Sequence, residues 1–397
     1  MINFRYYTLF FKIIIFFELT TYLFSIIRLT NVFNTALFTR FFVIIPSLIA
    51  IFILLNFLKK IRFDFFTYFI FTLLIHSINM ALLHWDYTDT IHYQLYYMIS
   101  ETSMIVFALF VYLFTLNIDF TNLKNHIYLE NLLDKISFYI LLISTITIFT
   151  GYFLNIFTSY HLYLSISGKF LLIPFIWSII RSNRNYLFYT LLLIFLGGKF
   201  GVLVAALIVA IFIYKFKKGI SSTVMIVYSS FFMLFFIFIL YIIKDYQGIG
   251  IIDKINGNYN FFNIDPDNLI MFAGGRFIEI FSVFNDFSFS DYLWGKGIGY
   301  EYLDIQSGED FIHNVHITPL GLVSKFGFFM TIILYSFIIF YLFQGSSMCR
   351  KDSIYIFFKS ILIGMLVFSL TEYAFFVNLI IWMSLGYIAN RSKTCVE

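Results

Sequence analysis

Apolar runs recur almost from end to end of this chain, each close to the roughly 20 residues that an α-helix needs to cross a hydrocarbon core about 30 Å thick. Lipid offers no partner to a backbone N–H or C=O, so runs of this kind satisfy their backbone internally, as helices. Reading between the charged and turn-rich breaks gives about twelve spans, at 6–27, 41–58, 65–83, 95–116, 136–156, 163–180, 186–198, 200–214, 220–243, 317–343, 353–371 and 374–389. The expected fold is therefore all-α, a polytopic membrane protein. With 61% hydrophobic and only 12% charged residues, against about 25% charged in an ordinary soluble domain, a soluble globule is excluded.

The seventh and eighth runs meet at Gly197-Gly198-Lys199. One continuous helix would bury that lysine at mid-membrane, where charge is costly, so two short spans or a re-entrant pair are expected. Lys and Arg in short loops mark the cytoplasmic side. Alternate connections hold Lys59, Lys60 and Arg62, then Lys124 and Lys135, Arg181 and Arg184, Lys215, Lys217 and Lys218, and Arg350 and Lys351, with Arg391 and Lys393 in the tail. The opposite connections at 84–93 and 157–162 have neither, and Arg28 and Arg40 are a mild exception. Both termini are thus expected in the cytoplasm. Met1–Arg28 carries Lys12 and Glu18 and no small-residue cleavage site, so the first helix is expected to stay.

This topology divides the chain into 1–243 with nine spans, 244–316 as one large outer loop, and 317–397 with three spans and a tail. The loop has turn signals at Asn256-Gly257-Asn258, Asp265-Pro266, Gly274-Gly275 and Gly295-Lys296-Gly297-Ile298-Gly299, and 276–286 is expected to be an amphipathic helix. It gathers Arg276, Lys296, His313 and His316. An arginine after two glycines can present its planar fork to phosphate oxygens. A histidine at the membrane boundary can take a proton from a hydroxyl, or simply anchor a helix end. Lys199, on the same outer side, is a second candidate cation or a snorkelling lysine. Further ionisable residues lie within the apolar runs: Lys12, Glu18, Glu101, Lys169, Lys325, Lys359 and Glu372. Their spacing requires any pairing to be between helices.

No HExxH, DxD or carboxylate triad accompanies His313 and His316, and there is no P-loop, dinucleotide motif or GxSxG. Neither a metal nor a cofactor is expected. Cys349 and Cys395 lack any metal or disulfide spacing, and a net charge of +4 provides no footprint for nucleic acid.

About twelve spans, an outer loop between the ninth and tenth, Gly274-Gly275-Arg276, Leu293-Trp294-Gly295-Lys296-Gly297-Ile298-Gly299, and His313-Asn314 leading to an apolar span with Gly327 together resemble the O-antigen polymerase and O-antigen ligase superfamily. The resemblance covers most of the chain in topology and rests on about three short motifs. It implies a C-type glycosyltransferase-like architecture in a bacterial inner membrane, acting on an undecaprenyl pyrophosphate donor at the periplasmic face. The implied roles are Arg276, Lys199 and Lys296 on the pyrophosphate, His313 or His316 as general base, and Gly275, Gly297, Gly299 and Asn314 in the loop turns. The family's basic residue in a Ser-Arg-Gly-like segment is matched by Gly198-Lys199-Phe200-Gly201, with lysine in place of arginine. His313-Asn314 matches the family's pair, whereas the spacing to the next glycine suits His316 to Gly327. The resemblance also implies membrane lipids and a chain-length regulator as partners. Polymerase is the expected activity, because the motifs are degenerate. The alternatives are a ligase that transfers the glycan to lipid A core and a lipid-linked glycan flippase or other transporter. Against the flippase, there are no two related halves.

Overall fold

A computed structural model of the chain describes residues 4–27, 35–56, 61–84, 91–120, 123–157, 168–196, 200–218, 276–285, 287–303, 311–312, 315, 317–343, 352–370, 375–376 and 378–394. These residues are mostly helical. In chain order the elements are α1 (Phe4–Ile27), α2 (Thr35–Asn56), α3 (Phe65–Leu83), α4 (Ile91–Leu116), α5 (Leu123–Phe157), a 3-10 turn (Gly168–Leu171) leading into α6 (Leu172–Arg181), α7 (Arg184–Leu196) and α8 (Phe200–Lys218). There follow α9 (Arg276–Phe284), α10 (Phe289–Trp294), β1 (Tyr302–Leu303), β2 (Phe311–Ile312), α11 (Thr318–Phe343), α12 (Ser353–Phe368) and α13 (Leu379–Thr394). The two strands form a single antiparallel pair, with Tyr302 opposite Ile312 and Leu303 opposite Phe311.

Four helical segments among the described residues are long and apolar enough to cross a membrane: Phe65–Leu83, Leu95–Leu116, Lys124–Thr150 and Thr318–Phe343. Their outer surfaces would be untenable in water: Phe65 is 76%, Leu83 77% and Phe343 86% exposed. The chain is thus a mostly helical protein with several helices suited to a membrane. The expected span at 220–243 lies outside the described residues.

Helix limits depart from the sequence reading where charge and apolar packing coexist. α5 begins at Leu123 rather than near 136, because Leu129, Leu132, Leu133 and Ile136 continue one buried stripe past Lys124, Glu130 and Asp134. At the other end of the chain, α13 continues through Arg391 to Thr394 instead of releasing a tail at 389. The expected division within 186–214 falls at 197–199, outside the described residues, with α7 and α8 on either side. α6 closes at Ser182, in the left-handed conformation at φ 58°, and Asn183 N–H donates back to the Ser178 carbonyl at 2.9 Å, so α6 and α7 form a tight hairpin.

Polar contacts tie the connections with Lys and Arg together at one end of the bundle. Asp64 caps α3 by accepting from Thr67 N–H at 3.0 Å, and its other oxygen accepts from Tyr112 OH at 2.5 Å and Tyr341 OH at 3.0 Å. Asn117 accepts from Arg62 N–H at 2.7 Å and donates to the Arg62 carbonyl at 3.2 Å. Asn390 donates to the carbonyls of Leu116 and Ile118. Asp352, the cap of α12, lies 3.1 Å from Arg391 and 3.7 Å from His126, and Arg181 reaches Glu130 at 3.2 Å. The C-termini of α4, α6, α11 and α13 therefore meet the N-termini of α3, α5, α7 and α12.

Replacing Asp64 removes a helix cap and the acceptor shared by Tyr112 and Tyr341, leaving those two hydroxyls only each other, 3.2 Å apart. Asp64→Ala is expected to cost about 2–4 kcal/mol, read as a lower thermal unfolding midpoint in detergent. An unchanged midpoint would show that this junction does not hold α3, α4 and α11 together.

Candidate functional site

The other end of the bundle is built around a break in α11. Gly327 has φ 78° and ψ 169° inside an otherwise helical run, a conformation that L side chains rarely adopt. The carbonyls that precede the break are met by another part of the chain: Lys296 N–H donates to Ser324 O at 2.8 Å and Gly297 N–H to Lys325 O at 3.0 Å. The Gly-Lys-Gly-Ile-Gly turn is thus seated on the broken helix. A Cβ on Gly297 would lie 2.2 Å from the Ala81 backbone nitrogen, and one on Gly327 would lie 2.2 Å from the Leu293 carbonyl oxygen. The glycines are required by this backbone-to-backbone approach.

Helices α3 and α4 complete the seat. Ile298 N–H points to the Ser77 carbonyl at 3.4 Å, the His76 ring lies 2.8 Å from the Trp294 carbonyl, and Glu101 Oε2 accepts from Gly299 N–H at 2.8 Å. Ile298 is buried in the main core. The other oxygen of Glu101 forms an ion pair with Lys325, and both side chains are almost fully buried. Lys296 holds its ammonium over the rings of Phe287 and Tyr300, at 5.2 and 5.1 Å from their centroids.

α10 leads into this turn and is fixed at both ends. Ser288 and Asp291 form a reciprocal capping box, and Gly295 N–H returns to the Asp291 carbonyl at 2.8 Å. His84, just past α3, lies 3.0 Å from Asp291 through one ring nitrogen and 3.0 Å from the Met80 carbonyl through the other. Burial alone would raise the Asp291 carboxyl, but hydrogen bonds from Ser288 and His84 outweigh it and hold the group below its ordinary value of 3.8.

A second small apolar cluster joins the remaining segments. Val283 of α9, Tyr302 of β1 and Val315 are buried against one another, with Phe284, Phe287, Tyr300 and Leu320 around them. Tyr302 OH donates to Glu279 at 3.2 Å and Tyr300 OH to the Val283 carbonyl at 3.2 Å. The expected amphipathic helix is present as α9, and Arg276 is its first residue.

Of the residues singled out in the sequence, Lys296, Gly297 and Gly299 lie in the seated turn, and Arg276 opens the helix that packs beside it. Lys199, Gly275, His313, Asn314 and His316 lie outside the described residues. Val315, which separates His316 from His313-Asn314 in the chain, is buried in the cluster shared by α9 and β1. Glu101 and Lys325 were visible as ionisable residues inside apolar runs but not as a pair. His76, His84 and Asp291 left no motif in the sequence. Among the described residues no three His, Cys, Asp or Glu side chains are grouped to hold a metal ion.

No protein-family model, curated protein or solved structure matches this chain.

The Asp291 contacts set a pH dependence whose sign is fixed. A carboxyl held low in the folded state contributes stability above its ordinary value of 3.8, and that contribution is lost as pH falls through the lowered folded value. Hydrogen exchange of peptides covering 288–299 should therefore accelerate as pH falls below about 4, beyond the intrinsic pH effect. Asp291→Asn should remove most of that dependence; a variant with the parental pH profile would exclude Asp291 as its source.

Proposed function

We propose that this chain is a lipid-linked oligosaccharide polymerase of a bacterial inner membrane, with about twelve spans and both termini in the cytoplasm. It joins undecaprenyl-pyrophosphate-linked repeat units at the periplasmic face. The observation that carries this reading is the packing of α9, the Gly295–Gly299 turn, β1 and Val315 at the end of the bundle opposite the basic connections. These segments carry or adjoin Arg276, Lys296, His313 and His316. Loops with chemistry work when a rigid scaffold positions them, and the turn is held by helices α3, α4 and α11.

The proposed reaction is group transfer without a cofactor. A hydroxyl oxygen of the acceptor sugar attacks the anomeric carbon of the donor. The bond from that carbon to the pyrophosphate oxygen breaks, and its electron pair leaves with the lipid pyrophosphate. His313 or His316 takes the hydroxyl proton. Arg276, Lys296 and Lys199 offset the charge that develops on the leaving group, as preorganised cations. Lys296, its ammonium over the edge-to-face pair of Phe287 and Tyr300, suits that role. For the lipid portion, an apolar groove between α2 and α4, lined by Ile44, Tyr96, Ile99, Ser100, Ser103, Met104 and Phe107, is suited to a hydrocarbon chain.

Deleting the gene should collapse the surface glycan ladder to core plus a single repeat unit, and an Arg276→Ala complement at parental membrane level should fail to restore it. Bare core with long chains retained on the lipid carrier would identify a ligase instead. An unchanged ladder would overturn both.

A further inference from the structure

The Glu101–Lys325 pair is an expensive feature to keep in an apolar bundle. Two ions removed from water lose more solvation than their attraction commonly restores, so a buried pair is a poor device for stability alone. This one lies beneath the outer turn, walled by Ile298, Phe326 and Phe376, with room for about one water molecule beside it. Both members also bind the turn directly. Glu101 uses one carboxylate oxygen for Lys325 and the other for Gly299 N–H. Lys325 uses its ammonium for Glu101, while its carbonyl, just before the break at Gly327, accepts from Gly297 N–H.

The result is a closed circuit from α4 through the ion pair to α11, from α11 to Gly297, and from Gly299 back to α4. Lys296 lies between the two backbone anchors. Its N–H is bound to Ser324 and its side chain projects toward Phe287 and Tyr300. Any shift of α11 against α4 at this level would break one side of the circuit.

We propose that Glu101 and Lys325 are positioning residues that set the register of the 295–299 turn and hold Lys296 where the pyrophosphate of the donor binds; the second half of this inference rests on the transfer reading above. Neither residue touches the reacting atoms. Their effect is on the geometry of the cation, and misplacing a preorganised group by about an ångström can cost about a hundredfold in rate.

The test uses the full-length protein in lipid nanodiscs, with two readouts. Hydrogen exchange is followed in peptides covering 293–303, and transfer is assayed with lipid-pyrophosphate-linked repeat units. Glu101→Ala should raise exchange across Lys296–Gly299 by about tenfold or more, and lower kcat by about tenfold or more with KM for the donor within about twofold. Because Glu101→Ala removes the carboxylate that Lys325 binds and can fail to fold, the double variant Glu101→Gln/Lys325→Met is the second arm. It keeps an acceptor for Gly299 N–H without a buried charge but lacks the link from α4 to α11, so it should fold, with exchange outside 293–303 at the parental level, while exchange across Lys296–Gly299 stays raised and kcat stays lowered.

Parental exchange and kcat in Glu101→Ala would overturn the proposal. So would a double variant with parental exchange, whatever its kcat, since the turn would then hold its register without the pair. If the parental protein transfers nothing, the function assignment fails while the exchange arm still decides whether the pair seats the turn.

Discussion

An interrupted helix in an apolar surrounding must give its orphaned backbone groups new partners, because lipid supplies none. That constraint organises the site. Gly327 breaks α11, the carbonyls of Ser324 and Lys325 lie just before the break, and the N–H groups of Lys296 and Gly297 meet them. A turn of alternating glycines suits this role because it can approach another backbone without a side chain in between. The same approach fixes α10 above α3, brings Trp294 against His76 and Phe329, and directs Ile298 into the core. Hence the segment that carries Lys296 belongs to the bundle itself, whereas a loop free to move would position its cation poorly.

The two ends of the bundle use polarity differently. At the basic end, Asp64, Asn117, Asp352 and Asn390 cap helices and bridge their termini, and each contact answers to an unsatisfied backbone group or a neighbouring charge. At the opposite end, the Glu101–Lys325 pair and the ring-bound Lys296 lie around the turn seated on the broken helix, and neither charge is needed to satisfy the carbonyls before the break. Charges placed at such a cost beside a surface are the usual mark of a site. Their grouping with α9 and Val315 is what the group-transfer proposal rests on; a transporter would use a scattered relay.

Much of the architecture was legible in the sequence, since hydropathy alone reports helices that face lipid. α3, α4 and α11 fall close to the runs read at 65–83, 95–116 and 317–343. The charged first turns of α5 and the last turn of α13 escaped, because their burial depends on a stripe of leucines or on Asp352 across the interface, which mean hydropathy does not register. The Gly-Lys-Gly-Ile-Gly turn stood out by its glycines, but its seat did not, since Ser77, Ser324 and Gly327 are ordinary residues within apolar runs. Glu101 and Lys325 were conspicuous as charges, and nothing in the sequence shows that the fold brings them together.

Whether this end of the molecule transfers glycan is decided most directly by reconstitution. The purified chain in vesicles, supplied with a repeat unit on a polyprenyl pyrophosphate and nothing else, should lengthen the glycan unit by unit and release one lipid pyrophosphate per linkage, with no nucleotide sugar consumed. Passage of the lipid-linked unit to the opposite leaflet, with no chain growth and no released pyrophosphate, would contradict it and make the protein a transporter.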